Sequence, residues 1–108
     1  MIVSVALFEL HIPHAQSLKD KRAVVRSLRD RLRQRFDLSA AEVSMQDVHQ
    51  RARLALSFVS LDGAAADAML SRIQSFVEGE KDAMLTGWTS EKLDFDDTVA
   101  LGVPGFER

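Results

Sequence analysis

Residues 17–36 read Ser-Leu-Lys-Asp-Lys-Arg-Ala-Val-Val-Arg-Ser-Leu-Arg-Asp-Arg-Leu-Arg-Gln-Arg-Phe, and eight of the fourteen Lys and Arg fall there. The whole chain carries a formal net charge of −2, so positive charge is segregated, which bears on association. Lys19, Arg22, Arg26, Arg29 and Arg33 recur at spacings of three and four, which on a helix aligns them along one side. Such a stripe can neutralise successive phosphates, with affinity falling steeply as salt rises. Arginine predominates over lysine, which suits bidentate phosphate contacts. Arg51 and Arg53 extend the patch if the hairpin end lies beside it, whereas Lys21, Arg31 and Arg35 point elsewhere.

The same stripe also reads as a solvated helix face, since Arg is a strong helix former and flanks many amphipathic helices. It can equally be covered from within. Residues 78–108 hold eight acidic and three basic residues and can pair with the stripe in the same chain or in a dimer mate. The acidic balance of the chain argues against strong nonspecific DNA binding.

Other residues are weaker candidates. His11, His14 and His49 are imidazole donors, but the pattern lacks the closely spaced ligands of a zinc site, and no metal is expected. Gln46, Asp47, Gln50 and Arg51 cluster at an expected hairpin end, either as a polar recognition loop or as turn chemistry in which Arg51 pairs with Asp47. Asp94, Asp96 and Asp97 lack the glycine and distal glutamate of a calcium loop. Trp88, the one tryptophan, is expected in core or dimer packing. No phosphate loop, nucleotide fingerprint or nucleophile context is present, so no catalytic residue and no cofactor is assigned.

These residues need elements to hold them. Ile2 to Ile12 is rich in β-branched and apolar residues and precedes Pro13, which predicts a strand. Both of its alternating faces are largely apolar, which predicts a central position covered on both sides. Ser17 is a helix N-cap with Asp20 three residues on. Leu18, Val25, Leu28, Leu32 and Phe36 then supply an apolar stripe of helical period. Residues 41–48 read as a weaker strand and Arg53–Ser60 as its hairpin partner. Asp62 caps a second helix, buried through Ala66, Met69, Leu70, Ile73 and Val77, with Gly79 as its stop. Residues 83–93 read as a last strand, weakened by Gly87.

The order β-α-β-β-α-β predicts a ferredoxin-like α+β sandwich: a four-stranded antiparallel sheet with two helices on one face. The expected domain spans residues 1–93, followed by an acidic tail, 94–108, with Gly102, Pro104 and Gly105. The second sheet face stays open in a monomer, which predicts a homodimer. An RNA-recognition-motif role for that sheet is disfavoured, because the third strand offers Phe58 alone for stacking and the chain has no tyrosine.

Composition agrees with a soluble domain. Apolar residues make up 46% and charged residues 28%, and no apolar run approaches the ~18 residues of a membrane span. The absence of cysteine excludes disulfides and thiol nucleophiles and agrees with a reducing cytoplasm, the expected location.

Ser17-Leu18-Lys19-Asp20-Lys21-Arg22, together with Glu42-Val43 and Gln46-Asp47-Val48-His49-Gln50-Arg51-Ala52, resembles the YlxP family of small bacterial proteins, a domain of unknown function. The resemblance runs from Ile2 to about Leu93 and implies a ferredoxin-like fold. Its genes often neighbour those for transcription and ribosome-maturation factors, which implies an RNA-linked role. His49 stands where the family pattern leads one to expect an aromatic, so no stacking role is assigned to it.

These readings lead to a non-catalytic binding module for RNA or a ribosome-associated partner. Lys19, Arg22, Arg26, Arg29 and Arg33 would hold phosphates, and Gln50 and Arg51 would add polar contacts. A protein-interaction adaptor using the basic helix or open sheet, and an enzyme of unknown chemistry, are the alternatives.

Overall fold

The Ser17 hydroxyl accepts the Asp20 amide at 3.1 Å, and this cap starts an 18-residue helix, α1 (Leu18–Arg35). The computed structural model describes residues 1–99 and contains, in order, β1 (Ile2–His11), α1, β2 (Ser39–Ser44), β3 (Arg51–Ser60), α2 (Gly63–Glu78) and β4 (Met84–Asp94). Asp62 caps α2 by accepting the Ala65 amide at 2.8 Å, and Gly79 ends it. The strands form one open antiparallel sheet, ordered β2-β3-β1-β4. This is the expected α+β arrangement. Phe95, just after β4, exchanges backbone hydrogen bonds with Met1.

Period-two patterning decides which side of the sheet is dry. In β1, Ser4, Ala6, Phe8 and Leu10 turn inward and are buried, while Val5 and Leu7 between them are exposed. β1 is therefore central, as its composition implies, but covered on one side only. Ala52, Leu54, Leu56 and Phe58 of β3 continue the inner face. Val25, Leu28 and Leu32 of α1 and Leu70, Ile73 and Val77 of α2 close over it in a single core. Each such side chain contributes about 1.5–3 kcal/mol by burial. Phe36 meets Phe76 edge-on at 5.8 Å, tying the end of α1 to α2. Trp88 stacks on Phe8 at 5.6 Å and packs against the core.

The hairpin differs in detail from expectation. β2 ends at Ser44, not residue 48, because Met45 takes a left-handed backbone (φ 64°) that ends the extended run. β3 starts two residues early, since Arg51 and Ala52 pair with His11 and Leu10 of β1. Register irregularities bend two strands, one between Glu42 and Ser44 and one in β4 opposite Glu9 and Leu10, beside Gly87. Asp94 closes β4, while Gly102, Pro104 and Gly105 lie outside the described residues. Among the described residues no helix is long and apolar enough to cross a membrane.

The core has one discordant group. Among the described residues, the Ser4 hydroxyl is fully buried with no hydrogen-bond partner. A buried unpaired hydroxyl retains a desolvation penalty of about 1–3 kcal/mol. Ser4→Ala should therefore leave stability unchanged or raise it by up to about 1 kcal/mol in urea denaturation, despite its central position.

Candidate polyanion interface

Three flanks of α1 have different fates. Val25, Leu28 and Leu32 face the core. Arg31 and Arg35 face α2: Arg31 donates to Glu80 at 2.6 Å, and the Arg35 guanidinium lies 5.5 Å from the Phe76 ring centre. The remaining flank carries Lys19, Arg22, Arg26, Arg29 and Arg33, which the helix brings together in one line about 21 Å long at 1.5 Å per residue. Lys19, Arg22 and Arg26 are exposed, and among the described residues none of them has a carboxylate partner. Arg29 makes a loose 3.4 Å pair with its neighbour Asp30. Arg33 donates to the Ala40 carbonyl at 2.7 Å, which fastens the end of the helix to edge strand β2. Among the described residues, the acidic C-terminal third pairs with α1 at Arg31, through Glu80.

Gln50 and Arg51 are not brought into this line. Gln50 Nε2 donates to the carbonyls of Pro13 and Ala15, and its own carbonyl accepts the Ile12 amide at 2.8 Å, so it closes the β1–α1 loop. Arg51 belongs to the open sheet face, opposite the helices. It pairs with Glu9 at 2.8 Å, not with Asp47, and Arg53 pairs with the other oxygen of Glu9 at 3.0 Å. Neither arginine extends the helical stripe. These two hydrogen bonds, that of Arg51 first, hold the Glu9 carboxyl below the usual glutamate range.

Lys21 is the residue that charge patterning misplaces. Its side chain is buried, 1% exposed, beneath the β2–β3 turn. Its ammonium donates to Glu42 Oε2 at 2.9 Å and to the Met45 carbonyl at 2.7 Å, with the Gln46 and Arg51 carbonyls at 3.4 and 3.3 Å. Helical spacing does contain the signal, because Lys21 lies four residues before Val25 and seven before Leu28, on the apolar side. Opposite it, the left-handed Met45 is a strained conformation for a non-glycine residue, and it aims its carbonyl at that ammonium.

Two concave regions adjoin these groups. A groove of about 560 Å³ between α1 and α2 is lined by Arg35, Phe36, Ser71, Arg72, Ser75 and Phe76. A second, about 390 Å³, holds His11 and His49 with Asp47, Gln50 and Arg51. Among the described residues no three His, Asp or Glu side chains converge to hold a metal.

The family model described as "Protein of unknown function (DUF503)" matches residues 3–89. The chain belongs to this family. The uncharacterized protein YlxP of Bacillus subtilis (strain 168) is 31% identical over 77 residues, covering 71% of this chain and 84% of that protein. Both motifs that carry the resemblance fall inside the matched span. The structure joins them physically, since Lys21 of the first bonds Glu42, Gln46 and Arg51 of the second.

Two outcomes follow. Lys21→Met keeps the aliphatic stem but removes the ammonium from the Glu42 carboxylate and from three carbonyls, of which that of Met45 keeps the Val48 amide as donor. It should lower unfolding free energy by about 3 kcal/mol in denaturant titration, discounted from the largest buried-pair values because Glu42 is partly exposed. For Glu9, a lowered native pKa means its stabilisation is present above the unfolded value and is lost as pH falls through the native one. Carboxyl NMR titration should place its midpoint below ordinary glutamate, and Arg51→Ala should raise it.

Proposed function

We propose that this protein is a non-catalytic module that holds RNA by its phosphates along α1. The supporting observation is the exposed line of Lys19, Arg22 and Arg26, continued by Arg29, with no carboxylate beyond Asp30 against it among the described residues. A rigid helix presents these charges at fixed spacing, so little side-chain order must be created on binding beyond the long side chains themselves. Arg35 and Arg72, lining the groove between the helices, place further cations in the same layer. Phe76, half-buried in that groove, supplies a flat apolar surface beside them. RNA is favoured over duplex DNA because the acidic whole lacks the strong positive field of a nonspecific DNA binder. The implied gene neighbourhood of the family points the same way. Gln50 and Arg51 take no part in this reading, as both are committed to intramolecular bonds.

The test is the salt dependence of binding to single-stranded RNA. Four or five neutralised phosphates, at about −0.7 each, give a log–log slope near −3. Arg22→Glu, Arg26→Glu and Arg29→Glu combined should weaken binding at least about a hundredfold at low salt and flatten that slope by about 2. A triple variant that binds as the wild type does, with the same slope, refutes the reading.

A further inference from the structure

The sheet face away from the helices divides into two zones. At one end lie Val3, Val5 and Leu7 of β1, flanked by Val59 of β3 and Leu93 of β4, which the strand registers place opposite Val3. Val5 is 47% exposed, Leu7 39%, Val59 66% and Leu93 58%, a contiguous aliphatic patch on a surface that normally scatters such residues singly. At the other end, the next outward position of β1 is Glu9, and the facing positions of β3 are Arg53 and Arg51. Along β1 and β3 the apolar and charged zones thus follow one another, with acid on β1 and base on β3; on edge strand β4, Glu91 and Thr89 stand opposite Val5 and Leu7.

We infer that this face is closed by a second copy of the chain, about a two-fold axis running parallel to the strands between β1 and β3. That axis lays β1 of each copy over β3 of its mate. Val3, Val5 and Leu7 then meet Ala55, Ser57 and Val59, and the Glu9 carboxylate of each copy faces the Arg51 and Arg53 guanidiniums of the other. A two-fold axis across the strands instead presses the charged zone onto the aliphatic zone and strands ions in an apolar contact, which is strongly unfavourable. The charge arrangement therefore selects both the occupant and the axis, because a self-complementary face is what an isologous pair requires.

Size agrees. Four strands about 4.8 Å apart and about eight residues of 3.3 Å cover roughly 500 Å² per copy. The total, roughly 1,000 Å², is at the lower limit for a specific interface and implies a reversible dimer. Two antiparallel sheets pack in this way about 10 Å apart with strands nearly aligned. Within the strands the outward positions carry no Phe, Tyr or Trp; the imidazole of His11 lies among the charges, and Phe95, 52% exposed, follows Leu93 just past β4.

Sedimentation equilibrium of the full chain decides the matter. The wild type should show twice the chain mass, and Val5→Lys should return it to one chain with an unchanged circular dichroism spectrum, self-association weakening at least about a hundredfold. Glu9→Arg alone and Arg51→Glu with Arg53→Glu should each be monomeric through like-charge repulsion, and mixing the two variants should restore a dimer. A monomeric wild type, a Val5→Lys dimer, or charge variants that fail to associate when mixed would each overturn the inference.

Discussion

The ammonium of Lys21, reaching from the start of α1, gathers oxygen atoms from the end of β2, the β2–β3 turn and the start of β3. Backbone carbonyls at a tight turn need donors, and the Val48 amide gives the Met45 carbonyl one of the two it can accept. A lysine answers this with three rotatable donors on a stem that crosses the apolar layer. Glu42 balances the charge at a site only partly open to water. That junction ties the β2–β3 turn to the start of α1, and Gln50 beside it ties the same hairpin end to the β1–α1 loop. Residues 17–22 and 42–52 are therefore parts of one physical unit.

Much of the fold was legible because local signals agreed with global ones. Ser17, Asp62 and Gly79 mark helix ends by backbone chemistry, and the structure uses all three. The alternation in β3 separates buried Leu54, Leu56 and Phe58 from their more open neighbours, whereas β1, apolar on both faces, did not reveal which side is covered. Boundaries around the β2–β3 turn were not legible, because a methionine in the left-handed region carries no glycine-like turn signal and one donor to its carbonyl, Lys21, lies far away in sequence. Charge was the least readable property. A helical projection identified the outward stripe, but it treated Lys21, Arg31 and Arg35 alike as pointing elsewhere. One of them is a buried strut, and the other two pack against Phe76. Arg51 had a carboxylate partner, yet spacing alone indicated Asp47 where the sheet register supplies Glu9.

The two layers of the sandwich have separate surface chemistries. Free positive charge concentrates on the helices, whereas the exposed sheet is aliphatic with a locally matched acid–base zone. Because the sheet lies between them, occupation of one surface need not obstruct the other. A doubled molecule of this form would carry its helices, and hence its cations, on two outer sides.

Arg33 has a role that its charge alone does not suggest. β2 is an edge strand, and an edge is a template on which a foreign strand can grow. By donating to the Ala40 carbonyl, Arg33 occupies an acceptor on that edge, and the irregularity near Val43 breaks the ladder soon after. The short strand is thus a poor seed for intermolecular sheet extension. An arginine held there is withdrawn from the line of free cations, so the electrostatic reach of α1 belongs mainly to its first three turns, while its last turn keeps the molecule from joining its own kind by the wrong side.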